Sequence, residues 1–142
     1  MDTSGIQSED DMSTHIAKLR EGIVAWNLWR ADNPNVIPDL REENLSWVDL
    51  RWYNLANADL REANFYGAFM KQTTLIGADL REASFFRTDL REANLNYSDA
   101  REANFSAADL SMASFSGADI REAVFTNAIT TDTNFEGAIT EE

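Results

Sequence analysis

Cysteine is absent from this chain, so neither disulfides nor thiolate metal centres are open to it. Histidine is almost absent. His15 is the single one, and an imidazole without a thiol or a second histidine makes a poor start for a metal site or a catalytic dyad. It is expected on the exposed side of a surface helix, with no chemical role. Basic residues are scarce: 12 Lys and Arg stand against 25 Asp and Glu, for a net charge of −13. That balance disfavours direct binding to nucleic acid or to an anionic membrane surface, and it suits a soluble chain or a basic partner. No apolar run approaches the roughly 20 residues of a membrane-spanning helix. The opening MDTSGIQSEDDMS has neither the basic start nor the apolar middle of a secretory signal, so a cytoplasmic location is expected. Nucleotide-binding glycine motifs and the nucleophile elbow are missing too.

What is present is a period. Counted from Leu40 in steps of five, twenty positions run to Phe135, and all but Ala100 and Thr130 are large and apolar. A small residue stands two places before most of them, as at Ala58, Ala63, Ala68, Thr73 and Ala78. Amphipathic helices repeat near 3.6 residues and half-buried strands near 2, and five fits neither. A repeat unit of its own is therefore at work.

The phrases ADLREANF at 58, ADLREASF at 78 and ADIREAVF at 118 carry that pattern in its fullest form. A small-x-large order every five residues, A(D/N)LXX, resembles the pentapeptide-repeat family, and the resemblance extends from about Pro38 to residue 142. It implies an all-β solenoid, a right-handed quadrilateral β-helix in which each pentapeptide forms one side and four form a coil. Twenty pentapeptides then make about five coils, and stacking at the strand spacing of about 4.8 Å gives a rod roughly 24 Å long.

Four-sided coils make residues twenty apart stacked neighbours, and the sequence has an independent twenty-residue order. Asp39, Asp59, Asp79, Asp99 and Asp119 form one outward column, followed by columns of Arg (41 to 121) and Glu (42 to 122). Leu45, Phe65, Phe85, Phe105 and Phe125 form an inward column on the next side. Gly67, Gly77, Gly117 and Gly137 fall two places after core residues, where a corner demands positive φ. Upstream, the segment STHIAKLREGIVAWNLWRADNP suggests one amphipathic helix over about 13–31, stopped before Pro34 and laid on the first coil as a lid. The expected organisation is a disordered tail at 1–12, a capping helix and linker at 13–37, and the repeat β-helix at 38–142.

No constellation supports catalysis. The abundant carboxylates alternate with arginine on a convex surface, whereas acid–base work needs carboxylates in a desolvated cleft. The Asp columns lack the glycine-rich calcium repeat, and the adjoining Arg column opposes a divalent ion. The chain is expected to be no enzyme and to hold no cofactor and no metal. The resemblance implies two functional readings. One is an interaction or scaffold module with an unknown protein partner, existing as a monomer or a weak dimer through an uncapped C-terminal coil. The other is a DNA mimic that binds DNA gyrase or topoisomerase. DNA carries one negative charge per about 1.7 Å, so a rod of roughly 24 Å would need about −14. Residues 38–142 hold 19 acids and 9 bases, spread over all sides. The first reading is favoured. Outward aromatics break the repeated surface, and they make Tyr66, Phe86, Arg87 and Trp47 the candidate interaction site, with Trp52 around the corner. A neutral surface of Ser106, Ala107, Ser111, Met112, Ser116 and Gly117 is the alternative site.

Overall fold

The computed structural model describes residues 14–141. The segment expected to be disordered, 1–12, lies outside the described residues. From residue 39 onward the chain winds in coils of twenty residues. Parallel bridges pair Asp39 with Asp59, Asn44 with Asn64, Asp49 with Phe69 and Asn54 with Thr74, and the same four columns continue to Asp119 with Ile139. Side one is centred on Leu40, side two on Leu45, side three on Leu50 and side four on Leu55.

The pairing takes the form of isolated bridges, one per side, rather than continuous strands. The corners explain this. Each of the twenty residues two places after a core position has φ between 56° and 72°, so extended backbone never runs more than a few residues. The N–H of the next residue then closes the turn onto the core carbonyl, as from Ala63 to Leu60 at 3.0 Å. Sixteen of these corners are not glycine, and none is β-branched. Val, Ile and Thr are the residues least able to take this conformation.

The A(D/N)LXX motif has a direct physical basis here. Ladder bonds run up and down from each side, as Leu40 N–H to the Asp59 carbonyl (2.9 Å) and Asp59 N–H to the Pro38 carbonyl (2.9 Å). The Asp or Asn side chain accepts the N–H two residues on, as in Arg61 to Asp59 (3.3 Å) and Tyr66 to Asn64 (3.0 Å). That bond holds the entry to the turn. The small residue fits under the corner, and Ala58, Ala63, Ala68 and Ala78 are fully buried.

Inside, Phe65, Phe85, Phe105 and Phe125 stack at centroid spacings of 4.7, 4.9 and 5.1 Å, with their planes within 8°. Phe115 and Phe135 stack on side four at 5.2 Å and meet the first column edge to face. Thr73 and Thr88 occupy small-residue positions and satisfy their buried hydroxyls on the carbonyls of Leu50 and Phe65, each at 2.7 Å. Ser98 occupies the same kind of position with no partner for its hydroxyl.

The N-terminal segment corrects two expectations. It forms two helices instead of one: α1 over 14–20 and α2 over Ile23–Asp32. Gly22, at φ 109°, breaks them apart, a geometry that a side chain would strain. His15 is not exposed. It is 3% accessible; its Nδ1 accepts the Asp39 N–H at 2.8 Å, and its ring lies 5.0 Å from that of Trp29. α1 turns His15, Ile16 and Leu19 inward and α2 turns Trp26 the same way. The helices also satisfy backbone groups at the open edge of the first coil. Trp26 Nε1 and Arg30 donate to the Asn54 carbonyl (2.7 and 3.2 Å), Arg30 also donates to the Ala56 carbonyl (2.8 Å), and Asn27 accepts the Asn54 N–H (2.9 Å). Those carbonyls and N–H groups would otherwise lack the coil that serves them elsewhere. Among the described residues no helix is long and apolar enough to cross a membrane.

Candidate protein-interaction surface

Three side-by-side columns dominate side one. Each Arg folds back onto the Asp two positions before it: Arg61 donates to Asp59 from Nε at 2.9 Å and from Nη2 at 2.7 Å. It also approaches the Asp of the next coil, as Arg61 does Asp79 at 3.7 Å. The hydrogen bonds from Arg41, Arg51, Arg91 and Arg121 hold Asp39, Asp49, Asp89 and Asp119 below the ordinary carboxylate range. Between the Arg and Glu columns runs a groove of about 770 Å³. It is wide and open to solvent along its length. Among the described residues no group of three His, Cys, Asp or Glu could hold a metal ion.

Side two differs. Its outward positions read Ser46, Tyr66, Phe86, Ser106 and then Trp47, Gly67, Arg87, Ala107 in the adjoining corner column. The four candidate residues come together. Tyr66 and Phe86 stack at 5.5 Å with planes 17° apart, Trp47 meets Tyr66 edge-on at 5.2 Å, and the Arg87 guanidinium lies 5.4 Å from the Phe86 centroid. Trp47 is 61% exposed, so the helices of the N-terminal segment do not cover it. Its ring lies across Gly67, where a Cβ would come within 2.6 Å of the indole. The ring lying over it, rather than φ, is therefore what favours glycine at 67. Trp52, around the corner, bonds its Nε1 to Gln72 Oε1 and lies under Arg51 at 5.7 Å.

Two residues escaped the sequence reading. Phe69, bridged between Asp49 and Asp89, stands 47% exposed at a position that takes Asp in both neighbouring coils. The signal was available: Ala68-Phe69-Met70 breaks the A(D/N)L motif. Tyr97 is 70% exposed and its ring lies over Gly117, 2.6 Å from where a Cβ would stand. It thereby covers part of the neutral C-terminal surface, whose most exposed side chain is Met112 at 61%.

A family model for pentapeptide repeats matches residues 44–81 and 83–121 in eight copies, more than half of the chain. HetL of the cyanobacterium Nostoc sp. strain PCC 7120, a pentapeptide repeat protein involved in heterocyst differentiation regulation, is 28% identical, with a TM-score of 0.48 over 72% of this chain and 63% of HetL. Rfr23 from the cyanobacterium Cyanothece 51142 is 25% identical, with a TM-score of 0.44 over 82% of this chain and 94% of that protein. A pentapeptide repeat protein of the Arabidopsis thaliana thylakoid lumen is 33% identical, with a TM-score of 0.38 over 70% of this chain and 63% of that one. The chain thus spans less than two thirds of HetL and of the Arabidopsis protein. No curated protein sequence matches significantly. The matched residues lie within the coils that the parallel bridges trace, and the chain belongs to the pentapeptide-repeat family.

Proposed function

We propose that this protein is a non-enzymatic interaction module whose partner, another protein, binds the aromatic corner formed by Trp47, Tyr66, Phe86 and Arg87. One observation carries the reading. On a rod whose side one is the same at every height, these rings alone among the described residues gather three exposed or half-exposed aromatics and a cation into contact. Clustered aromatic and arginine side chains are what binding hot spots are made of, and truncating such residues costs about 2 kcal/mol or more in binding. The family supports the reading, since its members are structural or interaction modules.

The second reading, an acidic rod that stands in for DNA on a topoisomerase, has the net charge of −13 behind it. Against it, seven aspartates of the coils are held by arginines two positions on, so much of that charge is neutralised where it is most regular.

The test compares proteins that co-purify with the native chain and with Tyr66→Ser combined with Phe86→Ser, after confirming an unchanged melting temperature. Loss of a partner seen with the wild type supports the corner. Retention of every partner moves the site to the neutral surface around Met112. Inhibition of gyrase supercoiling that added DNA relieves would favour the second reading.

A further inference from the structure

We propose that the aromatic corner binds an acidic peptide segment, with apolar side chains of the peptide against Phe69 and Phe86 and carboxylates held by Lys71 and by Arg87. This rests on the corner being the interaction surface and adds the chemistry of its partner.

The argument starts from a broken rule. The coils carry nine cationic side chains. Seven are arginines standing two positions after an aspartate, and each clamps that carboxylate through Nε and Nη2 at 2.6–2.9 Å. The remaining two are Lys71 and Arg87. At Lys71 the aspartate position holds Phe69, and the lysine reaches only Glu92, at 3.9 Å. Arg87 has no ion pair among the described residues and rests on the Phe86 ring. Phe69 is bridged to Asp89, two residues beyond Arg87, so one cation stands two residues after an exposed ring while the other lies on the neighbouring one. A chain with a net charge of −13 thus keeps its two unclamped coil cations beside its exposed aromatics.

The ring geometry agrees. Tyr66 and Phe86 face each other, Trp47 closes the outer side of Tyr66, and Arg87 closes that of Phe86. In the Tyr66–Phe86 stack, ring edges are therefore what a partner meets, and edges carry the positive part of the aromatic quadrupole. They attract carboxylate oxygens and repel a cation. A guanidinium resting on a ring still has its donor fork free for a carboxylate. A long polyanion would meet the repulsion of the whole rod, whereas one or two carboxylates on a peptide meet mainly the local cations.

The test is random-peptide phage display on the intact protein, followed by fluorescence-polarisation titration of the selected peptides. Asp or Glu beside an apolar residue should be enriched. Lys71→Gln with Arg87→Gln should weaken those peptides about tenfold or more. Lys71→Glu with Arg87→Glu should shift preference to the same peptides carrying Lys. All four side chains are on the surface, and unchanged melting curves establish that the variants are folded. Peptides that lose binding to Tyr66→Ser with Phe86→Ser but show no acidic bias overturn the acidic assignment and leave the corner standing. So do peptides indifferent to Lys71→Gln with Arg87→Gln. Peptides indifferent to the Tyr66 and Phe86 changes overturn the corner itself. A single-stranded DNA oligonucleotide that displaces the peptides, with the same dependence on Lys71 and Arg87, overturns the assignment to a peptide.

Discussion

Phe85→Ala is the perturbation that asks most of the coil architecture. The Phe85 ring is fully buried, with Phe65 at 4.7 Å on one side and Phe105 at 4.9 Å on the other, nearly parallel to both. Burying such a side chain contributes about 1.5–3 kcal/mol of transfer free energy. A void is left as well, because the ring sits in a column whose neighbours are fixed by ladder bonds above and below, such as Phe85 N–H to the Asn104 carbonyl at 2.7 Å. Adjacent coils cannot close onto it without breaking those bonds, so the cavity term is retained in full. Together the two terms give about 3–5 kcal/mol. Phe135→Ala, in the half-buried final coil, should cost clearly less. Urea unfolding followed by circular dichroism measures both. A cost below about 1 kcal/mol at Phe85 would mean that the ring is not packed between its neighbours.

Deleting residues 1–34 should leave the β signal in far-UV circular dichroism intact but drive the protein into dimers or larger species on size exclusion. The edge groups at Asn54 and Ala56 then lose their partners, and a clean monomer would contradict the capping role of the helices. Ser98→Ala should be neutral or stabilising by up to about 1 kcal/mol, because it removes a buried hydroxyl that has no hydrogen bond. A loss of stability there would reveal a partner for that oxygen. Acidification should destabilise the coils. Asp39, Asp49, Asp89 and Asp119 have folded-state values below the ordinary one, so the unfolded chain binds their protons first. Their contribution is complete above about 3.9 and is lost as pH falls through the lowered values. A urea midpoint that rises steadily from pH 5 to 2.5 would show that relief of self-repulsion at a net charge of −13 outweighs these pairs.

The coil was legible because its two requirements are compositional. Small residues such as Ala63 and Ala83 fit beneath the corners, and large ones such as Phe65 and Phe85 fill the interior, so a period of five survives in plain sequence. The twenty-residue order of Asp39 to Asp119 fixed the number of sides for a similar reason: stacked neighbours share one environment. The aromatic corner followed from the same bookkeeping of columns. The cap was harder. Nothing local distinguishes Gly22 as a break from a tolerated helical glycine, and the polarity of His15 hides a position that lies on the same helical face as the buried Leu19 and Trp26. Glycine at 67 and 117 was attributed to φ alone, but non-glycine corners at Glu62 and Arg87 have nearly the same φ. What singles out these two glycines is a ring from the coil below, a contact twenty residues away. Phe69 leaves the inward pattern intact, since Ala68 and Met70 keep the small and large positions, and only the outward motif breaks there.

The most direct test of the interaction surface is site-resolved photocrosslinking in cells, with a photoreactive residue placed in turn at Trp47 and Phe86 in the corner, Glu82 on side one, Asn94 on side four and Met112 on the neutral surface. These positions sample the rod by side, and all lie on outward columns. The account predicts a discrete protein adduct from Trp47 and Phe86 and none from Glu82, Asn94 or Met112. Adducts that arise chiefly from Glu82 or Met112, with none from the aromatic corner, would contradict it.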